Sequence, residues 1–199
     1  MDWTEVVGFV TGGLCVWLTV RRSIWNFPVG IVNNVFFIVL FVGAGLYADA
    51  ALQVVYIVLG LLGWFWWLRG GPDRTALRVR ATPRWGWVAA VVATGILTLA
   101  VWSVLTSHTD SDVATWDALT TSLSLVAQVM LGLKWVGNWA FWIAADVVYV
   151  PLYLHKGLAL TAVLYVGFLA LCVVGLRQWR RAREDAVRPA PVPAREVAA

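Results

Sequence analysis

Several stretches of this chain are apolar for longer than the ~18 residues that a helix needs to cross the hydrocarbon core of a bilayer. Of its 199 residues, 61% are hydrophobic and 13% are charged, whereas soluble domains average roughly 45–50% apolar and about 25% charged. A soluble domain of this length could not cover so much apolar surface, so the sequence predicts a polytopic membrane protein. The first residues lack the features of a signal peptide, and we expect them to begin a true span.

The apolar pattern predicts an all-α integral membrane protein with seven transmembrane helices. Their expected limits are residues 3–20, 25–44, 47–68, 85–105, 116–133, 138–155 and 158–176. Arginine or lysine follows the first, third, fifth and seventh helices, whereas the other loops carry acidic or few charges, with Lys156 as the exception. By the positive-inside rule, the N-terminus is expected outside and the C-terminus in the cytoplasm.

The breaks between the helices divide the chain into expected segments. These are a first three-helix bundle (1–68), a cytoplasmic basic loop (69–84), a linking helix (85–105), an external loop (106–115), a second three-helix bundle (116–176) and a largely disordered cytoplasmic tail (177–199). The net charge of +4 comes mostly from arginines outside the helices. It therefore orients the chain in the lipid bilayer and does not indicate a nucleic-acid partner.

An internal repeat relates the second and third helices to the sixth and seventh. A shift of 112 residues aligns them without a gap and pairs Asn26 with Asn138 and Asn34 with Asp146. The same shift pairs Gly45 with Gly157, Gly63 with Gly175 and Trp67 with Trp179. Because both triplets are expected to begin outside, the sequence predicts two parallel three-helix repeats joined by a linking helix, a 3+1+3 plan with the substrate at the repeat interface.

A polar and aromatic stripe lies along one face of the sixth predicted helix. It comprises Asn138, Trp142, Asp146, Tyr149 and Tyr153, which are spaced three or four residues apart. A carboxylate at the centre of a transmembrane helix costs about 2.5–3.5 kcal/mol on insertion scales, so it should face the bundle interior or a water-filled cavity. Amides, aromatic faces and one acid together suit a flat polar ligand that can carry a positive charge.

Other roles compete with ligand binding at these positions. Amide side chains within a membrane can serve only to hydrogen-bond helices together. Asp146 can be a structural acid paired with Lys134 or with a hydroxyl, or a proton site in an ion-coupled symporter. A membrane enzyme would need paired acids or a His/Asp cluster, and Asp146 is the one carboxylate expected deep in a helix.

Tryptophan and cysteine residues have simpler expected roles. Trp64, Trp66, Trp67 and Trp179 are expected in an aromatic belt at the cytoplasmic interface. Cys15 and Cys172 are expected to be small buried residues, and their spacing indicates neither a disulfide framework nor a metal site.

At these residues the sequence resembles the nicotinamide riboside transporter (PnuC) family. The resemblance lies in WNFPVGIVNNVFF from residue 25, GLYADAALQVVYIVLGLLGWFWW from residue 45, KWVGNWAFWIAADVVYVPLYLHKGLALTAVLYVGF from residue 134 and GLRQW from residue 175. It covers the second, third and fifth to seventh helices well, and the fourth helix and the tail hardly at all.

The resemblance implies a SWEET-like fold and a homotrimer in the bacterial inner membrane. It also implies facilitated diffusion of nicotinamide riboside, an NAD precursor that a cytoplasmic kinase traps by phosphorylation. We therefore expect a small-molecule substrate and a protein that is not an enzyme, with no catalytic residue, metal or cofactor. Another vitamin, such as thiamine or riboflavin, with or without ion coupling, is the alternative substrate. By position, the family's ligand-contacting role falls on Asn34, Gln53, Gln128, Trp135, Asn138, Trp142, Asp146 and Tyr149.

Overall fold

The computed structural model of the chain describes residues 3–43, 45–108 and 113–187. Within these ranges the helices are α1 (Trp3–Val20), α2 (Asn26–Gly43), α3 (Tyr47–Arg69), α4 (Arg84–His108), α5 (Ala114–Gly132), α6 (Asn138–His155) and α7 (Ala159–Val187), with a short 3-10 helix at Pro72–Arg74. The prediction of an all-helical chain with seven long helices is confirmed. The predicted helix ends agree to within three residues, except at the end of α7.

Helix α7 ends at Val187 and not at residue 176, where the sequence predicted its end. The prediction stopped where the apolar run stops, but Arg, Gln, Ala and Glu are strong helix formers that can continue a helix into a polar environment. The ring of Trp179 also anchors this extension, since its exposed fraction is 0%. The segment expected to be a tail therefore begins as helix, and residues 188–199 lie outside the described ranges.

The outer surface of the helices is apolar. By length and composition, four of them (α2, α3, α4 and α7) could cross a membrane. Large aliphatic side chains such as Val39, Val91 and Leu99 are more than 60% exposed. A surface of this kind is unstable in water, so lipid must cover it. The chain is a multi-pass membrane protein.

Six of the helices form a closed ring. Around the ring, α1 contacts α2, α2 contacts α3, α3 contacts α5, α5 contacts α6, α6 contacts α7, and α7 returns to α1. Helix α4 packs against α5. Each backbone polar group within a helix is hydrogen-bonded inside that helix, which is the condition for lying in hydrocarbon, so the ring can enclose a polar interior.

Turns related by the shift of 112 residues have the same local geometry. Arg22 and Lys134 both adopt positive φ angles, of 58° and 51°, and Gly45 and Gly157 do so at 75° and 72°. The first pair is costly for residues with a side chain, so its occurrence at related positions argues against coincidence. Hydrogen bonds repeat as well: the Asn26 and Asn138 side-chain amides donate to the carbonyl oxygens three residues earlier, at 2.7 and 2.6 Å.

An aromatic cluster lies at the end of the ring where α1 and α5 terminate. Trp67 and Trp179 are 2% and 0% exposed, respectively, and their ring centroids are 5.9 Å apart. The prediction that both belong to an interfacial belt was therefore wrong. Position along the sequence indicated the correct depth, but hydropathy does not distinguish a ring facing lipid from one facing the centre of the helix ring.

The Lys134 ammonium packs against this cluster. Its Nζ donates to the Leu77 carbonyl oxygen at 2.7 Å and lies 4.1 Å from the centre of the Trp67 ring. These contacts draw it away from the carboxylate of Asp146, with which it had been considered as a pair. Burial, and secondarily the charge of Arg22, lowers the pKa of Lys134 from 10.5 to about 8.

We predict that replacing Lys134 by arginine changes the pH dependence of stability. The folded protein releases the Lys134 proton near pH 8, whereas the unfolded chain retains it to about pH 10.4. Between these values the unfolded state binds more protons, so this lysine makes stability rise with pH. Arginine stays charged throughout. The melting temperature of the wild type relative to Lys134→Arg should therefore increase from pH 7 to pH 10, and a difference independent of pH would contradict the prediction. Lys156→Arg is the control.

Candidate functional site

A cavity lies at the centre of the six-helix ring. Its volume is about 390 Å³, which falls within the ~300–1,000 Å³ usual for small-molecule sites. Every ring helix contributes lining residues: Gly12, Cys15, Val16 and Thr19 from α1; Asn26, Phe27, Gly30, Ile31, Asn33 and Asn34 from α2; Gln53, Tyr56 and Gly60 from α3; Ser124, Gln128 and Leu131 from α5; Trp139, Trp142, Ala145, Asp146 and Tyr149 from α6; and Tyr165, Phe168 and Cys172 from α7.

The first three helices line the cavity with neutral polar groups. Asn33 and Asn34 come from α2, and Gln53 and Tyr56 from α3. The Thr11 hydroxyl on α1 donates to Asn33 Oδ1 at 2.7 Å, which orients that amide. Because amides and a phenol can both donate and accept hydrogen bonds, this side of the cavity can read a polar edge of a ligand without requiring a charge.

The last three helices contribute the acid. Asp146 is 6% exposed, and its Oδ2 accepts a hydrogen bond from the Cys172 thiol on α7 at 3.4 Å. The repeat counterparts of these two residues, Asn34 and Gly60, are an amide and a residue without a side chain. The cavity is therefore built from related backbone positions that carry different chemistry on its two sides.

Aromatic rings stack beside the acid. The rings of Tyr149 and Tyr153 are stacked at 5.6 Å, and Tyr165 packs against them at 4.7 and 5.0 Å. On the related side, Phe37 and Phe41 are stacked at the same 5.6 Å. The geometry repeats while the hydroxyl groups occur on one side only, so flat apolar surface is available on both sides and hydrogen bonds on one.

The structure brings six of the eight predicted site residues together. Asn34, Gln53, Gln128, Trp142, Asp146 and Tyr149 all line the cavity. Asn138 does not: its side chain is fully buried and donates to the Trp135 carbonyl oxygen. Trp135 packs edge-on against Trp85, at 5.3 Å, outside the cavity lining. Both residues instead organise the turn that leads into α6, in which Arg80 pairs with Trp135.

Some lining residues were not predicted. Tyr165 and Phe168 on α7 carry flat rings, and Cys15 and Cys172 face the cavity as thiols. The repeat held a usable signal for two of them, because Tyr165 is the counterpart of Gln53 and Phe168 of Tyr56. The cysteines carried no such signal, since a buried thiol in a transmembrane helix usually fills space.

Comparison with known proteins now identifies the family. The family model described as nicotinamide mononucleotide transporter matches residues 2–181. The chain belongs to this family. The match spans nearly all of the described residues and includes every residue that lines the cavity, so the resemblance found in the sequence is confirmed.

Individual relatives agree with this assignment. The chain is 28% identical to the nicotinamide riboside transporter PnuC of Escherichia coli K12, with 94% of this chain and 90% of the relative covered. It is 30% identical to the riboflavin/roseoflavin transporter RibM of Streptomyces davaonensis, with 92% and 87% covered. A crystal structure of the vitamin B3 transporter PnuC superposes with a TM-score of 0.72 at 26% identity, covering 92% of this chain and 83% of that one. The protein is therefore a membrane transporter.

We predict that Asn138→Ala lowers the stability of the protein more than Asn34→Ala does. Asn138 is 0% exposed and hydrogen-bonded within the turn, so its loss leaves the Trp135 carbonyl without that donor, at a cost of about 1–3 kcal/mol. Asn34 lines the cavity and is only half-buried. Thermal unfolding in detergent measures the difference, and equal melting temperatures for the two variants would assign Asn138 no structural role.

Proposed function

We propose that this protein carries nicotinamide riboside into the cell by facilitated diffusion and that a cytoplasmic kinase then traps it by phosphorylation. The observation that carries the proposal is the cavity at the centre of the ring, where one carboxylate, several amides and stacked aromatic rings meet. The relatives named PnuC transport nicotinamide riboside, and the cavity has the chemistry that this ligand requires.

The ligand's pyridinium ring is flat and positively charged. Asp146 supplies the negative charge, which is effective because it lies in a low-dielectric interior. Trp142 and Tyr149 offer ring faces, to which cations are attracted. The carboxamide and the ribose hydroxyls need donors and acceptors, and Asn34, Gln53 and Gln128 provide them. These six residues are our proposed ligand contacts, whereas Trp135 and Asn138 are proposed to support the site from outside the cavity lining.

The architecture that we propose is two parallel three-helix repeats joined by α4. The matched positive-φ turns at Arg22 and Lys134 and the closed order of contacts around the ring support it. The segment limits proposed from the sequence, 1–68, 69–84, 85–105, 106–115, 116–176 and 177–199, follow the same plan.

We further propose that the protein is a homotrimer in the bacterial inner membrane, with its N-terminus outside and its C-terminus in the cytoplasm. The support is the distribution of positive charge: Arg22, Arg80, Lys134 and Arg177 all lie at one end of the helices, in the positions expected of cytoplasmic residues.

Passive transport is favoured over ion coupling and over catalysis. Among the residues that line the cavity, Asp146 is the one carboxylate, whereas a proton relay within a membrane uses several ionisable groups. The described residues also contain no group of three or more His, Cys, Asp or Glu side chains able to hold a metal ion. A gradient of free substrate, maintained by phosphorylation inside the cell, is then sufficient to drive uptake.

Riboflavin is the second candidate substrate. The observation that favours it is the 30% identity with a riboflavin/roseoflavin transporter over 92% of this chain. Its isoalloxazine ring is also flat and suits the aromatic surfaces, but it is neutral and gives the carboxylate of Asp146 no charge to neutralise.

We predict that nicotinamide riboside binds the purified protein more tightly than riboflavin or thiamine does. Trp139 and Trp142 line the cavity, so binding should also quench tryptophan fluorescence. Calorimetric titration of the three vitamins measures the order of affinity without optical interference from the flavin. Tighter binding of riboflavin would replace the first-choice substrate while leaving the cavity as the binding site.

We predict that Asp146→Asn weakens nicotinamide riboside and leaves riboflavin nearly unaffected. A hydrogen bond or contact with a charged group is worth about 1.5–3 kcal/mol, so the dissociation constant of the cation should rise roughly tenfold to a hundredfold. Asp49→Asn, an exposed acid at the start of α3, is the matched control. Equal losses for the charged and the neutral vitamin would mean that Asp146 acts through the shape of the site and not through its charge.

A further inference from the structure

The cavity is closed at one end by a floor of four residues. Thr19 and Leu131, near the ends of α1 and α5, and Phe27 and Trp139, in the first turns of α2 and α6, line this part of the cavity. Thr19 and Leu131 are counterparts under the shift of 112 residues, and so are Phe27 and Trp139. The floor therefore contains one copy of each position from each repeat.

Two tryptophan rings lie directly beneath this floor. Phe27 packs edge-on against Trp67 with ring centroids 5.0 Å apart, at 89°. Trp139 packs edge-on against Trp179 at 5.6 Å and 86°. The Trp67 and Trp179 rings contact each other at 5.9 Å. Since both are buried, these four rings fill the route from the cavity to the end of the ring that carries Arg22 and Lys134.

Each of the two tryptophans is also hydrogen-bonded across the repeat boundary. Trp67 on α3 donates from Nε1 to the Leu131 carbonyl oxygen at the end of α5, at 3.1 Å. Trp179 on α7 donates to the Thr19 carbonyl oxygen at the end of α1, also at 3.1 Å. Donors and acceptors are both counterparts, so the two bonds are related by exchange of the repeats.

These bonds meet the last turns of α1 and α5, where helix carbonyls have no partner within the helix. An indole N–H is a donor only, and neither group can find water while the rings are packed. The closed arrangement therefore satisfies both partners at once, and separating the helices breaks both bonds and exposes them to solvent.

We propose that Trp67 and Trp179 form the gate on the side of Arg22 and Lys134, and that their two indole–carbonyl bonds are its latches. Passage of a ligand through that end requires α3 to part from α5 and α7 from α1, because the latches join those helices. This inference rests on the proposed transport function, but it concerns access to the cavity and not the identity of the substrate.

Glycines opposite the floor fit the same arrangement. A Cβ at Gly63 on α3 would lie 2.7 Å from a Phe27 ring atom, and a Cβ at Gly175 on α7 would lie 2.5 Å from the Trp139 ring. The two glycines are counterparts as well. Replacing Gly63 by alanine keeps both indoles and favours the helix, yet it pushes the floor apart only when the gate is closed.

The chain's own cysteines can test the gate. Cys15 and Cys172 are its only two cysteines, and both line the cavity. A membrane-impermeant thiol reagent applied to oriented vesicles from the side of Arg22 and Lys134 reaches them only when the gate is open. Mass spectrometry of the labelled protein gives the rate at each cysteine separately.

We expect Trp67→Phe and Trp179→Phe, which keep a ring and remove the donor, to raise the labelling rate from that side severalfold. Trp17→Phe, at a 47% exposed position on α1, should label like the wild type. Gly63→Ala should also accelerate labelling, whereas Gly167→Ala, where a Cβ meets nothing within 4 Å, should not.

Unchanged labelling in the folded Trp67→Phe and Trp179→Phe variants would overturn the proposal. If these two variants do not fold, Gly63→Ala decides it alone, and a rate equal to that of Gly167→Ala would overturn it. Because labelling needs no substrate, a failure here is distinguishable from a failure of nicotinamide riboside to bind, which calorimetry on the wild type detects.

Discussion

A carboxylate in the middle of an apolar helix is the constraint around which this molecule is organised. Asp146 would cost about 2.5–3.5 kcal/mol if its helix crossed the bilayer with that side chain facing lipid. The cost is avoided because six helices close into a ring and give the acid a polar interior. Within that interior the Cys172 thiol donates to it, and Lys134, the nearby cation in sequence, is occupied by the Leu77 carbonyl and the Trp67 ring. The negative charge is thereby left for a ligand.

The repeat explains how one chain can make such a ring. Helix contacts, left-handed turns and tryptophan hydrogen bonds recur at positions 112 residues apart. A closed ring of two similar units needs the same interface twice, since α3 meets α5 as α7 meets α1. Each tryptophan is placed on the last helix of one unit and bonded to the first helix of the other. The two interfaces therefore stabilise each other, and neither unit completes its own floor.

Much of this could be predicted from the sequence. Apolar length gave seven helices, because a bilayer fixes the length of a transmembrane helix, and helical spacing placed Asp146, Trp142 and Tyr149 on one face. Depth in the ring was harder to predict. Trp67 looked like a belt residue because composition does not show which side of a helix faces lipid. Asn138 belonged to the polar stripe by spacing, but it lies in the first turn of α6, where its amide is used by the Trp135 carbonyl.

The places where the repeats agree and differ separate two functions. At the floor, the counterparts Trp67 and Trp179 are identical and make identical bonds, as a gate opened by a concerted motion of both units would require. At mid-cavity, the counterparts diverge: Asn34 faces Asp146, and Gln53 faces Tyr165. A symmetric cavity would bind an unsymmetrical molecule in two orientations with equal affinity. The single charge at Asp146 removes that degeneracy, so a ligand with one cationic end is held in one orientation while the backbone around it keeps the symmetry that movement needs.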